Sequence, residues 1–224
     1  MASEASEASE ASARANKQLN KLKTLKKQDK DVLDAINLTL SRMCCSGIFD
    51  HLKGGFFRYS IDELWMIPHF EKMLYDNGPM ISILANAFKK TGNKMYLSKL
   101  VQTCDWILAE MQSNNGGYYS TIDADSEGIE GKFYVWSDDD LENILNPEEI
   151  DIFKKMFVVY DRPNFDGKYH LHVTKTNESY YLEKIDTANK ICQKLLQERD
   201  KRARPGTDKK VLVSWNALVI EGMI

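Results

Sequence analysis

The chain has 224 residues, 43% of them hydrophobic, with 30 Lys plus Arg against 33 Asp plus Glu and a formal net charge of −3. That balance excludes a general nucleic-acid binder, which needs a basic surface to displace counterions. No apolar run approaches the roughly 20 residues of a membrane span, and the start, Met1-Ala2-Ser3-Glu4, lacks the basic and apolar regions of a secretory signal. The expected location is cytoplasmic, with neither nucleic acid nor membrane as partner. Cys44, Cys45, Cys104 and Cys192 form no C-x-x-C pair and read as reduced thiols in helix cores. No metal and no cofactor is expected.

Residues 2–12 repeat Ala-Ser-Glu, a low-complexity tail with almost nothing to bury. Lys17, Lys21, Lys23, Lys26, Lys27 and Lys30 follow, with only Leu19, Leu22 and Leu25 as apolar anchors. Residues 1–30 therefore read as a tail and a solvated Lys-rich helix or linker. From residue 31 apolar side chains recur at helical spacing: Leu33, Ile36, Leu40 and Met43, then Phe70, Met73, Leu74, Ile81, Leu84 and Phe88. Leu97, Leu100, Val101, Cys104, Leu108 and Met111 make a third stripe, and Leu182, Ile185, Cys192 and Leu195 a fourth. Gly78-Pro79 lies inside the second stripe, where proline predicts a kink rather than a stop. A fifth stripe begins at Leu212 and reaches the last residue, Ile224. So short a helix is marginal alone, which reads as truncation. Between the stripes, Tyr118–Ile122 and Phe133–Trp136, joined through Asp125–Gly131, predict a β-hairpin. The fold class expected for residues 31–224 is mainly all-α.

Three polar patches could carry chemistry. On a helix, His69, Lys72 and Asp76 share one face, which is equipment for acid–base work or an ordinary ion-paired surface. Asp123-Ala124-Asp125-Ser126-Glu127-Gly128 opens like a calcium loop, but Tyr134 stands where a bidentate Glu is needed. Those carboxylates instead suit sugar hydroxyls, acid–base roles or a polar hairpin tip. Finally, Trp215-Asn216 after Asp208-Lys209-Lys210 could stack on and hydrogen-bond a sugar, or place a core tryptophan.

Read in order, Gly47-Ile48-Phe49-Asp50-His51-Leu52, Gly54-Gly55-Phe56, Arg58-Tyr59-Ser60, His69-Phe70-Glu71-Lys72-Met73-Leu74-Tyr75-Asp76, Asp123-Ala124-Asp125-Ser126, Glu130–Trp136 and Ser214-Trp215-Asn216 resemble the thioredoxin-like family that includes the spermatogenesis-associated thioredoxin-like proteins. The resemblance covers about residues 31–224. It implies a thioredoxin-like domain, which no segment before residue 31 supplies, followed by an (α/α)6 toroid similar to six-hairpin glycosidases and N-acylglucosamine 2-epimerases. It further implies a sugar-type cavity, here in a toroid cut at Ile224. Under it, His69, Asp76, Asp123 and Asp125 are the expected catalytic groups. Asp50, His51, Arg58, Glu71, Lys72, Tyr75, Asn77, Trp136, Asp208, Trp215 and Asn216 are the expected substrate-binding set. Phe57, Gly78-Pro79 and Asp208-Lys209-Lys210 depart from the family pattern beside that cavity. The expected function is therefore that of a fragment of a carbohydrate-processing toroid with a sugar-like small molecule as partner. The alternatives are a non-catalytic remnant or interaction module, or half of a split protein that self-associates or takes a complementing chain.

Overall fold

The computed structural model describes residues 2–158, 162–173 and 183–224. Leu182 lies outside them, as do the side chains of Leu19, Leu22, Leu25 and Ile185. The chain divides into two compact units, residues 1–41 and 42–224. Helix α1 (Ala2–Cys45) begins the chain and accounts for every described residue of the first unit. It contains no Gly or Pro and is rich in Ala, Lys and Leu, so nothing in its sequence interrupts helix propagation. The Ala-Ser-Glu repeat and the Lys-rich run are thus one helix, and the expected boundary after residue 30 falls inside it. Leu33 and Ile36, read as the start of a core stripe, are 42% and 47% exposed.

The second unit is mainly helical. It contains α2 (Leu74–Thr91), α3 (Lys94–Trp106) continued by a π-turn over Ile107–Met111, α4 (Asp138–Ile144), α5 (Pro147–Phe157), α6 (Ile185–Arg199) and α7 (Val213–Met223). Helix α2 packs against α3 and α7, while α5 packs against α4 and α6. The first group closes over Leu74, Ile81, Trp106, Ile107, Met111 and Val219, the second over Leu141, Phe153, Phe157, Ala188, Ile191 and Leu195. Between them a third apolar cluster gathers Phe57, Phe70, Phe133 and Tyr134. No helix among the described residues is long and apolar enough to cross a membrane.

Helix α2 runs through Pro79 as one element. Its neighbour Gly78 serves contact rather than flexibility. A Cβ there would stand 2.9 Å from the Val219 nitrogen, and a Cβ on Gly222 would press on the Gly78 carbonyl. The final helix therefore has its partner in α2, backbone against backbone. Gly222→Ala should push α7 outward and cost about 1–3 kcal/mol, the usual range for overpacking. A urea midpoint unchanged from wild type would show that the two helices can separate freely.

Seven two-residue strands are present among the described residues. Here β1 (Tyr59–Ser60) pairs with β2 (Pro68–His69), and β3 (Lys72–Met73) with β4 (Thr121–Ile122), which pairs in turn with β7 (Thr207–Asp208); all are antiparallel. The hairpin is tighter than the sequence predicts. Strand β5 (Asp125–Ser126) meets β6 (Ile129–Glu130) across Glu127-Gly128, whereas Thr121–Ile122 goes to the three-stranded sheet and Trp136 bridges Tyr169.

Candidate functional site

The helical reading of His69, Lys72 and Asp76 does not hold. The helix begins only at Leu74, and residues 68–69 and 72–73 are strands. Extended backbone alternates its side chains with period two, and the ladder makes the consequence visible. Lys72, Ile122 and Thr207 form one row across the sheet, and Met73, Thr121 and Asp208 the next. Lys72 and Ile122 of the first row line an inner cavity, the second row lines an outer groove with Glu71, and Thr207 borders both. Lys72 therefore points away from Glu71 and away from the site to which it was assigned.

The outer groove encloses about 550 Å³ and is lined by Glu71, Met73, Thr121, Asp123, Gly206, Thr207, Asp208, Lys210 and Trp215. Three carboxylates thus share it with one indole. Trp215 packs edge-on against Tyr75, with ring centroids 4.8 Å apart. Asp208 pairs with Lys210 at 3.0 Å, which holds its carboxyl below the usual range. Arg58 donates to Glu71 at 2.9 Å at the rim of the groove.

Asp76 sits in that first turn. Burial pushes its carboxyl up to about 6, with Arg58 lowering and Glu71 raising it. Its buried Oδ2 has no hydrogen-bond partner among the described residues. A carboxyl group raised to about 6 beside further carboxylates is an arrangement in which one group can give a proton and another take it. His69 lies 3.7 Å from Glu71 and 2.6 Å, through Nδ1, from Glu130. Glu130 is the cross-strand partner of Asp125, and directly opposed residues share a face of their hairpin. Asp125 and Glu130 therefore stand on the side that reaches His69, although Asp125 does not line the groove.

The other expected binding residues are interior. Asp50 and Lys72 are 4% and 1% exposed, and Asp50 pairs with both Lys72 and Arg199. His51 is buried, bonded through Nε2 to the Ser46 carbonyl. Asn77 is fully buried and bonds the backbone of Phe56 and Met73. Trp136 is core, with the Arg202 guanidinium 3.9 Å from its ring centroid. Asn216 is buried and clamps both the N–H and the carbonyl of Tyr118. These are positioning residues, and Trp215, not Asn216, faces the groove. Glu130 and Lys210 lie in the polar patches read from the sequence without being singled out as site residues, whereas Arg199, whose partner Asp50 is 149 residues away, was missed. No group of His, Cys, Asp or Glu among the described residues is arranged to hold a metal ion.

No protein-family model matches the chain. It is 30% identical to human spermatogenesis-associated protein 20 over 217 residues, which cover 82% of this chain and 28% of that protein. The mouse protein of the same name is also 30% identical, with 27% of its length covered. An uncharacterized protein of Caenorhabditis elegans, B0495.5, is 28% identical over 87% of this chain and 31% of its own. The chain thus spans about three tenths or less of the length of these relatives. Their similarity supports the spermatogenesis-associated part of the resemblance. A crystal structure of D-mannose isomerase is similar over 75% of this chain and 35% of that one, with a TM-score of 0.35 and 18% identity.

Proposed function

We propose that the second unit is part of an (α/α) toroid of helical hairpins whose outer groove binds a sugar-like polyol and exchanges protons with it. The observation that carries this reading is the meeting of Trp215 with Glu71, Asp123 and Asp208 in one groove. An indole offers an apolar face to the C–H side of a sugar ring, and carboxylates accept from its hydroxyls. Asp76, raised to about 6 by burial, is the proton donor in this account, and His69 with Glu130 the second exchange centre. Glu71 and Arg58 position both.

Isothermal titration of the chain with neutral monosaccharides and disaccharides tests the reading. Binding should weaken at least about tenfold in Asp123→Asn and in Trp215→Ala, the loss of one good hydrogen bond or stacking contact. It should persist in Asp76→Asn, because that change removes a proton donor rather than a groove wall. Equal affinity in all three variants would contradict the assignment.

A further inference from the structure

The outer groove has a charge pattern as well as an indole. Among its lining residues are three carboxylates, Glu71, Asp123 and Asp208, and one ammonium, Lys210. Two of the three carboxylates are paired. Asp208 lies 3.0 Å from the Lys210 ammonium and also accepts the Lys210 N–H. Glu71 accepts from Arg58 at 2.9 Å. Asp123 forms no ion pair among the described residues. Its Oδ1 accepts the N–H groups of Ala124 and Asp125, at 2.7 and 3.5 Å. Its Oδ2 faces Gly206, where a Cβ would stand 4.0 Å away, so the glycine keeps that oxygen open.

The groove therefore keeps one uncompensated negative charge, and a ligand can reach it, because Asp123 is an exposed side chain of the groove wall. Trp215, half-buried in the same wall, acts in the same direction. An indole attracts a cation to the negative face of its ring, and a carboxylate binds an ammonium more strongly than a neutral hydroxyl. A neutral sugar uses Asp123 as an acceptor and leaves its charge unanswered. A phosphate group meets that charge as a repulsion. Lys210 gives it no relief, since drawing the ammonium from Asp208 uncovers a second carboxylate.

Given the sugar-binding reading of this groove, on which the inference rests, we infer that it selects an amino sugar, a polyol bearing a free ammonium group, over neutral sugars and over sugar phosphates. Asp123 accepts from the ammonium, and Trp215 covers the sugar ring beside it. Glu71 and Asp208, each held by its own cation, are left to accept from hydroxyls.

The test titrates the whole chain by calorimetry with glucosamine, glucose and glucose 6-phosphate, at low ionic strength and about pH 6.5, where such an amine is protonated. Glucosamine should bind at least about fivefold more tightly than glucose, the difference between a charged and a neutral hydrogen bond, and glucose 6-phosphate more weakly than either. The ratio of glucosamine to glucose affinity should shrink as sodium chloride is added. It should fall towards one in Asp123→Asn, which removes the charge but keeps an oxygen for the Ala124 and Asp125 N–H groups. It should rise in Lys210→Met, which leaves Asp208 unpaired. Glucose bound as tightly as glucosamine overturns the charge selection while the sugar groove stands. A wild-type ratio in both variants overturns it too, by placing the preference elsewhere. No binding of any of the three sugars would sink the groove itself, and the inference with it.

Discussion

Asp50→Ala should be among the most destabilising single substitutions in the second unit, with an expected cost of about 3–5 kcal/mol, the range for removing one partner of a buried ion pair. The carboxylate is 4% exposed and binds two cations, Lys72 and Arg199. Those two charges hold its pKa well below the usual carboxylate range against the opposing effect of burial. Without it, two buried cations face each other with no anion between them. Lys72→Met is the informative control, since it leaves the Asp50–Arg199 pair intact and replaces a buried ammonium by an apolar chain of similar length. It should cost less than half as much. Denaturant unfolding with an unchanged slope checks both values. Equal losses for the two variants would mean that burial of bulk, rather than charge balance, sets the stability.

The second large effect is acid lability between about pH 6.5 and pH 4. His170 and His172 are 4% and 3% exposed, and burial lowers both to about 4 from the ordinary 6.5. His170 bonds the Gly47 carbonyl at 2.7 Å. His51 nearby is also pushed well down, by burial and then by Lys99. A depressed histidine binds protons less readily folded than unfolded. Stability is therefore full above pH 6.5 and falls with pH towards 4, by up to roughly 3 kcal/mol for each of the two. Asp76 works the other way. Its carboxyl is raised from 3.8 to about 6, so its destabilising charge is relieved over the same acid range. Two histidines outweigh one partly exposed carboxyl, and the net result is a loss. Asp76→Asn removes the relief and should steepen the decline between pH 6.5 and 4.5. Asp50 stays out of this window, because its contribution is lost only below the ordinary value of 3.8. A flat stability profile in Asp76→Asn would show that these histidines are hydrated rather than buried.

The apolar stripes were legible as helices. Those beginning near Phe70, Leu97 and Leu212 correspond to α2, α3 and α7, although Leu97, Val101 and Leu108 in the second of these are exposed rather than core. Helices that no stripe had marked were not. Helices α4 and α5 are only 7 and 11 residues long, and their real signals are the reciprocal caps Ser137 with Asp140 and Asn146 with Glu149. Residues 68–73 carry an apolar spacing that also fits a helix, and the sheet partners of Lys72 and Met73, Ile122 and Thr121, are remote in sequence. That one misread period put Lys72 on the wrong face. Glu71, Asp123, Asp208 and Trp215 were legible as candidates and share the groove. Arg199 was not, since only a buried Asp50 reveals that a cation must come from somewhere.

The central claim is that Trp215 and its neighbouring carboxylates form a sugar-binding groove. The most direct measurement is a titration of the chain with neutral sugars, followed through the four tryptophan indole N–H resonances and assigned with Trp215→Phe. The account predicts that the Trp215 signal shifts saturably with at least one sugar, while the signals of the buried Trp106 and Trp136 stay in place. A Trp215 signal that no sugar moves, under conditions where the protein melts cooperatively, would contradict it.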